Sequence, residues 1–357
     1  MPNQTCRFLS NGYKFQITDN NKLRLMPCCK WLGSAEENPQ NFQQYRTMLN
    51  QVDALTDKRC MDCAYQEEKK LRTSWRQMSF DYVPHDAVTN EAYYLEIQLD
   101  RTCNGGCIMC GPWLSTFWQK ELYNKVTPIN KTSREDHINL IMSSIDVSHA
   151  KQIRFLGGEP LLSNGDLQIL SLVNTPEIVD LVYTTNGSIY PSDMRIELWK
   201  KFQSVRINFS VDGIGSRFNY IRYPLQWNIV VENMYKMRDK LPDNIKFSIN
   251  HTANIFNLFY FDEFDQWRSE NFLYDRAGKE ISYNFSPASG ILNPQFVSRS
   301  LLELLTEKYH KDSKVINTIL SDSLNPQELM EFISQLDHRR KLDWRTVFPD
   351  IRHCFDV

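Results

Sequence analysis

Between residues 93 and 285 the apolar positions switch repeatedly between two spacings. Short runs that alternate with polar residues or are continuously apolar, at 93–99, 152–156, 181–185, 205–211, 245–250 and 281–285, predict strands. Stretches with apolar residues three and four apart, at 137–145, 167–172, 194–202, 229–237 and 261–267, predict helices between them. Strand followed by helix, repeated, predicts a parallel sheet with crossover helices. Six such units fit a partial (β/α)6 TIM-like barrel better than a closed eight-fold one, and the fold class is α/β. Beyond 290, the segments around 298–309 and 326–336 read as helices. The first 88 residues are rich in turn formers and read as irregular, apart from a strand-like Lys22-Leu23-Arg24-Leu25 after a polar turn at Asp19-Asn20-Asn21. The expected organisation is therefore 1–88, an irregular cysteine-bearing region; 89–290, the partial barrel; and 291–357, a helical extension.

The first predicted strand of the barrel runs into Cys103-Asn104-Gly105-Gly106-Cys107-Ile108-Met109-Cys110. Three thiolates on one short glycine-containing loop can hold three irons of a 4Fe–4S cluster, and the absence of a nearby fourth cysteine leaves one iron open to a small molecule. A structural zinc site asks for four closed ligands, which this loop does not supply. The CX3CX2C spacing at the end of a first strand resembles the signature of the radical S-adenosylmethionine (radical SAM) superfamily. The residue before the last cysteine is usually aromatic there. Here it is Met109, apolar and polarizable enough to cover an adenine.

Later strand ends carry the residue types such chemistry needs, and in parallel barrels the active site collects at these ends. The second strand ends in Gly157-Gly158-Glu159-Pro160. Paired glycines permit a sharp turn with free carbonyls, and the tetrapeptide resembles the family motif for the methionine ammonium of SAM. The third ends in Thr185-Asn186-Gly187, also an ordinary turn sequence. The fourth ends in Ser210-Val211-Asp212-Gly213, with Arg222 following. Ser210 and Asp212 share a face, so hydroxyl and carboxylate suit a ribose diol, while the guanidinium suits the methionine carboxylate. In the resemblance, Gly157, Gly158, Glu159, Asn186, Ser210, Asp212 and Arg222 together with Met109 bind the cofactor. His251, at the end of the fifth strand, reads equally as a pocket residue or a satisfied core histidine.

Of the nine cysteines, five lie in the first 63 residues: Cys6, Cys28, Cys29, Cys60 and Cys63. A lone cysteine, a proline–cysteine step after a strand and a CxxC pair resemble the auxiliary-cluster region of twitch and SPASM radical SAM enzymes, where the region usually follows the barrel rather than preceding it. The count fits one auxiliary 4Fe–4S cluster on Cys6, Cys28, Cys60 and Cys63. Adjacent Cys28 and Cys29 project in different directions, so one of them is a ligand, with Cys29 the alternative to Cys28. Two cysteine pairs also make a tetrahedral zinc site, so zinc remains open beside iron. Cys354 has no sequence partner and reads as structural.

A formal net charge of -2 gives no global reason to expect a nucleic-acid binder. No apolar run approaches the roughly 20 residues of a bilayer span, and the first residues lack the pattern of a signal peptide. Nine cysteines without a secretory signal point to reduced thiols and metal, with the cytoplasm as the expected location. The resemblance implies that a cluster on Cys103, Cys107 and Cys110 reduces SAM to methionine and a 5′-deoxyadenosyl radical that abstracts hydrogen from a substrate. The expected substrate is a peptide or protein, with a small molecule as the alternative partner, and an external donor such as flavodoxin or ferredoxin supplies the electron. Two alternatives stand beside it. One is a nucleotide- or nucleic-acid-modifying radical enzyme, using a basic run such as Lys69-Lys70-Leu71-Arg72-Thr73-Ser74-Trp75-Arg76, which also reads as a solvated helix face. The other is a non-catalytic zinc-binding interaction protein on a degenerate barrel. The tail 342–350 looks like tails of this group, its aromatics expected to cover the barrel opening.

Overall fold

The structure, a computed structural model, describes residues 6–18, 22–68, 73–126 and 131–355. The turn expected at Asp19-Asn20-Asn21 and the basic residues 69–72 lie outside the described residues. Eight strands form one sheet: β1 Gly12–Ile17, β2 Leu23–Met26, β3 Tyr94–Gln98, β4 Gln152–Phe155, β5 Asp180–Thr185, β6 Ser204–Ser210, β7 Ile245–Ala253 and β8 Ser282–Pro287. Their order is β2-β1-β3-β4-β5-β6-β7-β8. From β3 to β8, chain order and sheet order coincide, as expected when each strand is joined to the next by a crossover helix. The ladders β1/β3, β3/β4, β4/β5 and β7/β8 are parallel, and β1/β2 is antiparallel.

All six strands predicted between 93 and 285 lie where the alternation places them, within a few residues at each end, and the predicted helices are present. The first 88 residues are not irregular. They hold helices at Arg7–Asn11, Phe42–Leu49, Met61–Glu68 and Trp75–Tyr82, and two strands that extend the sheet. Register pairs Gly12 with Tyr94 and Gln16 with Gln98, so this segment is joined through β1 to β3. The alternating Tyr13-Lys14-Phe15-Gln16-Ile17 was a legible strand signal.

Two compact units make up the chain. The first comprises Met1–Cys103, Trp113–Thr184 and Pro191–Ile207; the second comprises Asn104–Pro112, Thr185–Tyr190 and Asn208–Val357. In the first, Phe15, Leu95, Ile97, Ile153, Leu181 and Trp199 are buried, yet β3 also buries Glu96 and Gln98. In the second, Phe209, Phe247 and Phe272 form an aromatic group, with Phe209 and Phe247 stacked at 5.8 Å. The tail aromatics Trp344 and Phe348 are fully buried against Phe256 at 5.5 and 5.3 Å, and Phe348 also meets Tyr220 edge-on at 5.4 Å. They thereby brace the helix Gly215–Ile221, which leads directly into Arg222. No helix among the described residues is long and apolar enough to cross a membrane.

Candidate active site

The unit boundary falls inside the cysteine loop, Cys103 belonging to the first unit and Cys107 and Cys110 to the second. In the second unit the loop is sewn to the end of the helix Gly215–Ile221. Ile108 N–H donates to Ile221 O at 2.9 Å, and Gly106 N–H donates to Tyr223 O at 2.5 Å. Tyr223 in turn lies under the guanidinium of Arg340 at 4.9 Å. A second attachment uses side chains: Asn186 Nδ2 donates to Asn104 Oδ1 at 2.9 Å, and Asn104 Nδ2 donates to Ser188 Oγ at 2.9 Å. Asn186, expected at a ribose, is thus also a hydrogen-bond partner of the cysteine loop. Asn104 was missed by sequence reasoning, and its one signal is its place directly after Cys103.

Arg222 brings a positive charge to the cysteine loop. Its Nη1 is 3.7 Å from Cys107 Sγ, and its Nη2 is 2.5 Å from Asp212 Oδ2. Asp212 is wholly buried and also accepts from Thr252 N–H at 2.6 Å. Arg222 and Asp212, expected at the methionine carboxylate and the ribose, thus form a buried pair beside a cysteine thiol. Such a pair keeps its charges tolerable only while both members remain. Burial pushes the Cys107 thiol up, opposed by the Arg222 guanidinium. Burial and then the neighbouring Cys107 push Cys110 up to about 12. Protonated thiols become metal ligands by releasing protons on binding, so this pair is suited to a metal centre next to a fixed positive charge. Met109 and Ser210 are half-buried. His251 is buried between Phe264 at 4.4 Å and Phe285 at 5.5 Å, its Nδ1 3.0 Å from Val211 O, while its buried Nε2 makes no hydrogen bond among the described residues.

In the first unit, the Gly-Gly-Glu-Pro turn abuts the residues that precede Cys103. Glu159 N–H donates to Thr102 O at 2.8 Å, and Glu159 itself is buried, accepting from Leu161 N–H at 3.1 Å. Gly158 has φ +54°, and a Cβ there would lie 2.4 Å from Thr102 O. Gly157 has φ +87°, with a Cβ position 2.0 Å from Gln98 Cγ. Glycine is required here by left-handed backbone and by close packing on β3 and its extension. Cys103 N–H donates to Thr116 Oγ1 at 3.1 Å, and Thr116 N–H to Arg101 O at 2.9 Å.

The first unit also gathers the N-terminal cysteines. Cys6, Cys28, Cys60 and Cys63 line one pocket, with Phe8, Trp31 and Trp75 among its walls. Cys6 stands at the start of the helix Arg7–Asn11, Cys28 follows β2, and Cys60 and Cys63 flank the start of the helix Met61–Glu68. Burial raises all four thiols, Cys6 to about 11 and Cys60 to about 12, and Cys6, Cys28 and Cys60 each also feel at least one of the others. Among the described residues no three His, Cys, Asp or Glu side chains are already gathered around a single ion position. Four thiols around a cavity fit a four-iron cluster, whose ligands attach at its corners. Cys29 is not in the cavity wall; its charged neighbours are Glu96, Lys14, Arg154 and Lys30.

Residues 97–257 match the model of the Radical SAM superfamily. This segment is a radical SAM domain. It begins in β3, contains the cysteine loop and ends beyond β7. The chain is 34% identical over 124 residues to GTP 3′,8-cyclase of Clostridium acetobutylicum, covering 34% of this chain and 36% of that protein. It is 31% identical over 138 residues to GTP 3′,8-cyclase of Mannheimia succiniciproducens, covering 38% and 37%. The chain thus spans about a third of the length of these curated relatives. Among solved structures, Streptococcus suis SuiB bound to S-adenosylmethionine aligns with TM-score 0.39 and 12% identity over 87% of this chain and 53% of its own. Native anSMEcpe with bound AdoMet and Cp18Cys peptide aligns with TM-score 0.40 and 15% identity over 68% and 58%.

Proposed function

We propose that this chain is a radical SAM enzyme that cleaves SAM reductively on a cluster held by Cys103, Cys107 and Cys110 and modifies a peptide or protein. The observation that carries the cleavage reading is the cysteine loop itself, anchored at Ile108, Gly106 and Asn104, with Arg222 at 3.7 Å from one of its thiols. When bound, the cluster supplies one electron to SAM and so generates a 5′-deoxyadenosyl radical. The chain's own contribution is positional. Asp212 fixes Arg222, Arg222 offsets thiolate charge, and the Gly157–Gly158 turn fixes the backbone leading to Cys103. The backbone of Gly157 to Glu159 is the proposed seat of the methionine ammonium, with Asn186 and Ser210 towards the ribose and Met109 over the adenine.

A second, auxiliary 4Fe–4S cluster is assigned to Cys6, Cys28, Cys60 and Cys63, supported by their common cavity. Held by these cysteines, such a cluster would supply an electron acceptor or an anchoring point for the substrate, which suits peptide modification, and the electron donor would be external, of the flavodoxin or ferredoxin kind. A nucleotide substrate is the second reading, favoured by relatives that are named GTP 3′,8-cyclases. The test is anaerobic incubation of the reconstituted chain with SAM and dithionite. 5′-Deoxyadenosine is expected from the native chain and none from a variant with Cys103, Cys107 and Cys110 changed to alanine. Equal production by both would remove the catalytic assignment.

A further inference from the structure

A parallel sheet buried on both faces is normally apolar throughout, and β1, β3 and β4 depart from this on one face. Lys14 is the register partner of Glu96, and Glu96 of Arg154, so the three stand side by side across three strands. Gln98 lies two residues beyond Glu96 and Gln152 two before Arg154, which puts both on the same face. Glu96, Gln98 and Gln152 are each at most 4% exposed. Buried side chains of this kind ordinarily satisfy one another. Here Gln98 Nε2, Gln152 Oε1 and Arg154 Nε are buried and make no hydrogen bond among the described residues.

The charges are also unequal. Lys14 Nζ is 2.8 Å from Glu96 Oε1, and these two offset each other. Arg154 has no ion pair among the described residues; its guanidinium instead lies over the ring of Trp75 at 5.4 Å. The row therefore keeps one net positive charge, with unused donors on Arg154 and Gln98. Its surroundings tie it to both candidate centres of this unit. Trp75 is a wall of the four-cysteine cavity, and the Gln98 side chain packs on Gly157 of the Gly-Gly-Glu-Pro turn.

We propose that Arg154, with Gln98 and Lys14, binds an anionic group of the substrate, a carboxylate or a phosphate, on this face of the sheet. The assignment rests on the reading that the chain acts on a substrate, and it adds the class of group that anchors it. A guanidinium presents a planar fork that matches either oxyanion. Cys29, the exposed thiol whose charged neighbours include Lys14 and Arg154, offers a reporter next to the site.

The test uses the full, cluster-reconstituted chain with a fluorine-bearing tag on Cys29, followed by 19F NMR. It is titrated with sodium phosphate and, separately, sodium acetate, with sodium chloride holding the ionic strength constant. A saturable shift with one of the two is expected, phosphate indicating a phosphorylated substrate and acetate a carboxylate-bearing one. Arg154→Gln should weaken that binding about tenfold or more, the loss of one charge-assisted contact. Arg154→Lys keeps the charge without the fork, so it should bind more weakly than the native chain and more tightly than Arg154→Gln, and it serves alone if the glutamine variant does not fold. Lys22→Gln, at an exposed position, is the control. No saturable shift with either anion, or the same affinity in both Arg154 variants as in the native chain, overturns the proposal. Anion binding needs neither SAM nor reductant, so the site and the radical SAM reading fail separately: one in this titration, the other in the deoxyadenosine assay.

Discussion

Arg222 and Cys107 are neighbours: the guanidinium lies 3.7 Å from the thiol sulfur, held from its other side by Asp212 at 2.5 Å. The arginine that the motif assigns to a cofactor carboxylate therefore already has two partners, both in the machinery that seats the cysteine loop.

Arg222→Ala is accordingly expected to reduce cluster content as well as SAM binding. It leaves Asp212 buried and unpaired, which costs about 3–5 kcal/mol. Iron analysis, the charge-transfer absorbance of the cluster and urea unfolding of the variant measure the effect. Native iron content together with native stability would show that the pair does not support the loop.

The N-terminal cavity gives an asymmetric expectation for two adjacent residues. Cys28→Ala should lose the auxiliary cluster, about half of the roughly eight irons of a two-cluster protein, whereas Cys29→Ala should retain them. Stability should fall in the first variant, because a metal site that orders its segment contributes folding free energy. Metal analysis after anaerobic preparation decides between metals, and stoichiometric zinc at this site would end the iron–sulfur assignment.

Gly158→Ala should destabilise the first unit and loosen the approach to Cys103. The left-handed backbone costs an L residue about 1–2 kcal/mol, and the added Cβ must also displace Thr102 O from 2.4 Å. Urea unfolding and iron content are the readouts. A variant as stable and as iron-rich as the native chain would mean that the Thr102 segment yields without consequence.

His251 predicts a pH dependence of stability. Burial lowers its pKa from an ordinary 6.5 to about 4, with Asp212 and Asp265 opposing the shift and Arg222 reinforcing it. The folded chain thus holds the ring neutral where the unfolded chain would protonate it. This contribution is complete above about pH 6.5 and is lost as the pH falls towards 4, by up to about 3 kcal/mol. His251→Gln should flatten the unfolding free energy over that interval. An unchanged slope would assign the acid sensitivity to other groups.

The alternation of apolar spacings determined the six strands from β3 to β8 and the helices between them, because secondary-structure periodicity is carried by residues a few positions apart. The cysteine loop was legible for the same reason, its three thiols lying within eight consecutive residues. Even β1 could have been read from Tyr13 to Ile17, although its neighbour in the sheet could not. What the tertiary structure decided were the relationships between distant segments. It gathered Cys6, Cys28, Cys60 and Cys63 around one cavity and turned Cys29 towards Lys14 and Arg154. It gave Arg222 to Asp212 and Cys107, and Asn186 to Asn104. A motif specifies which groups are available at a strand end, while burial and register decide which of them meet, because a buried charge or amide takes whichever partner the packing brings within reach.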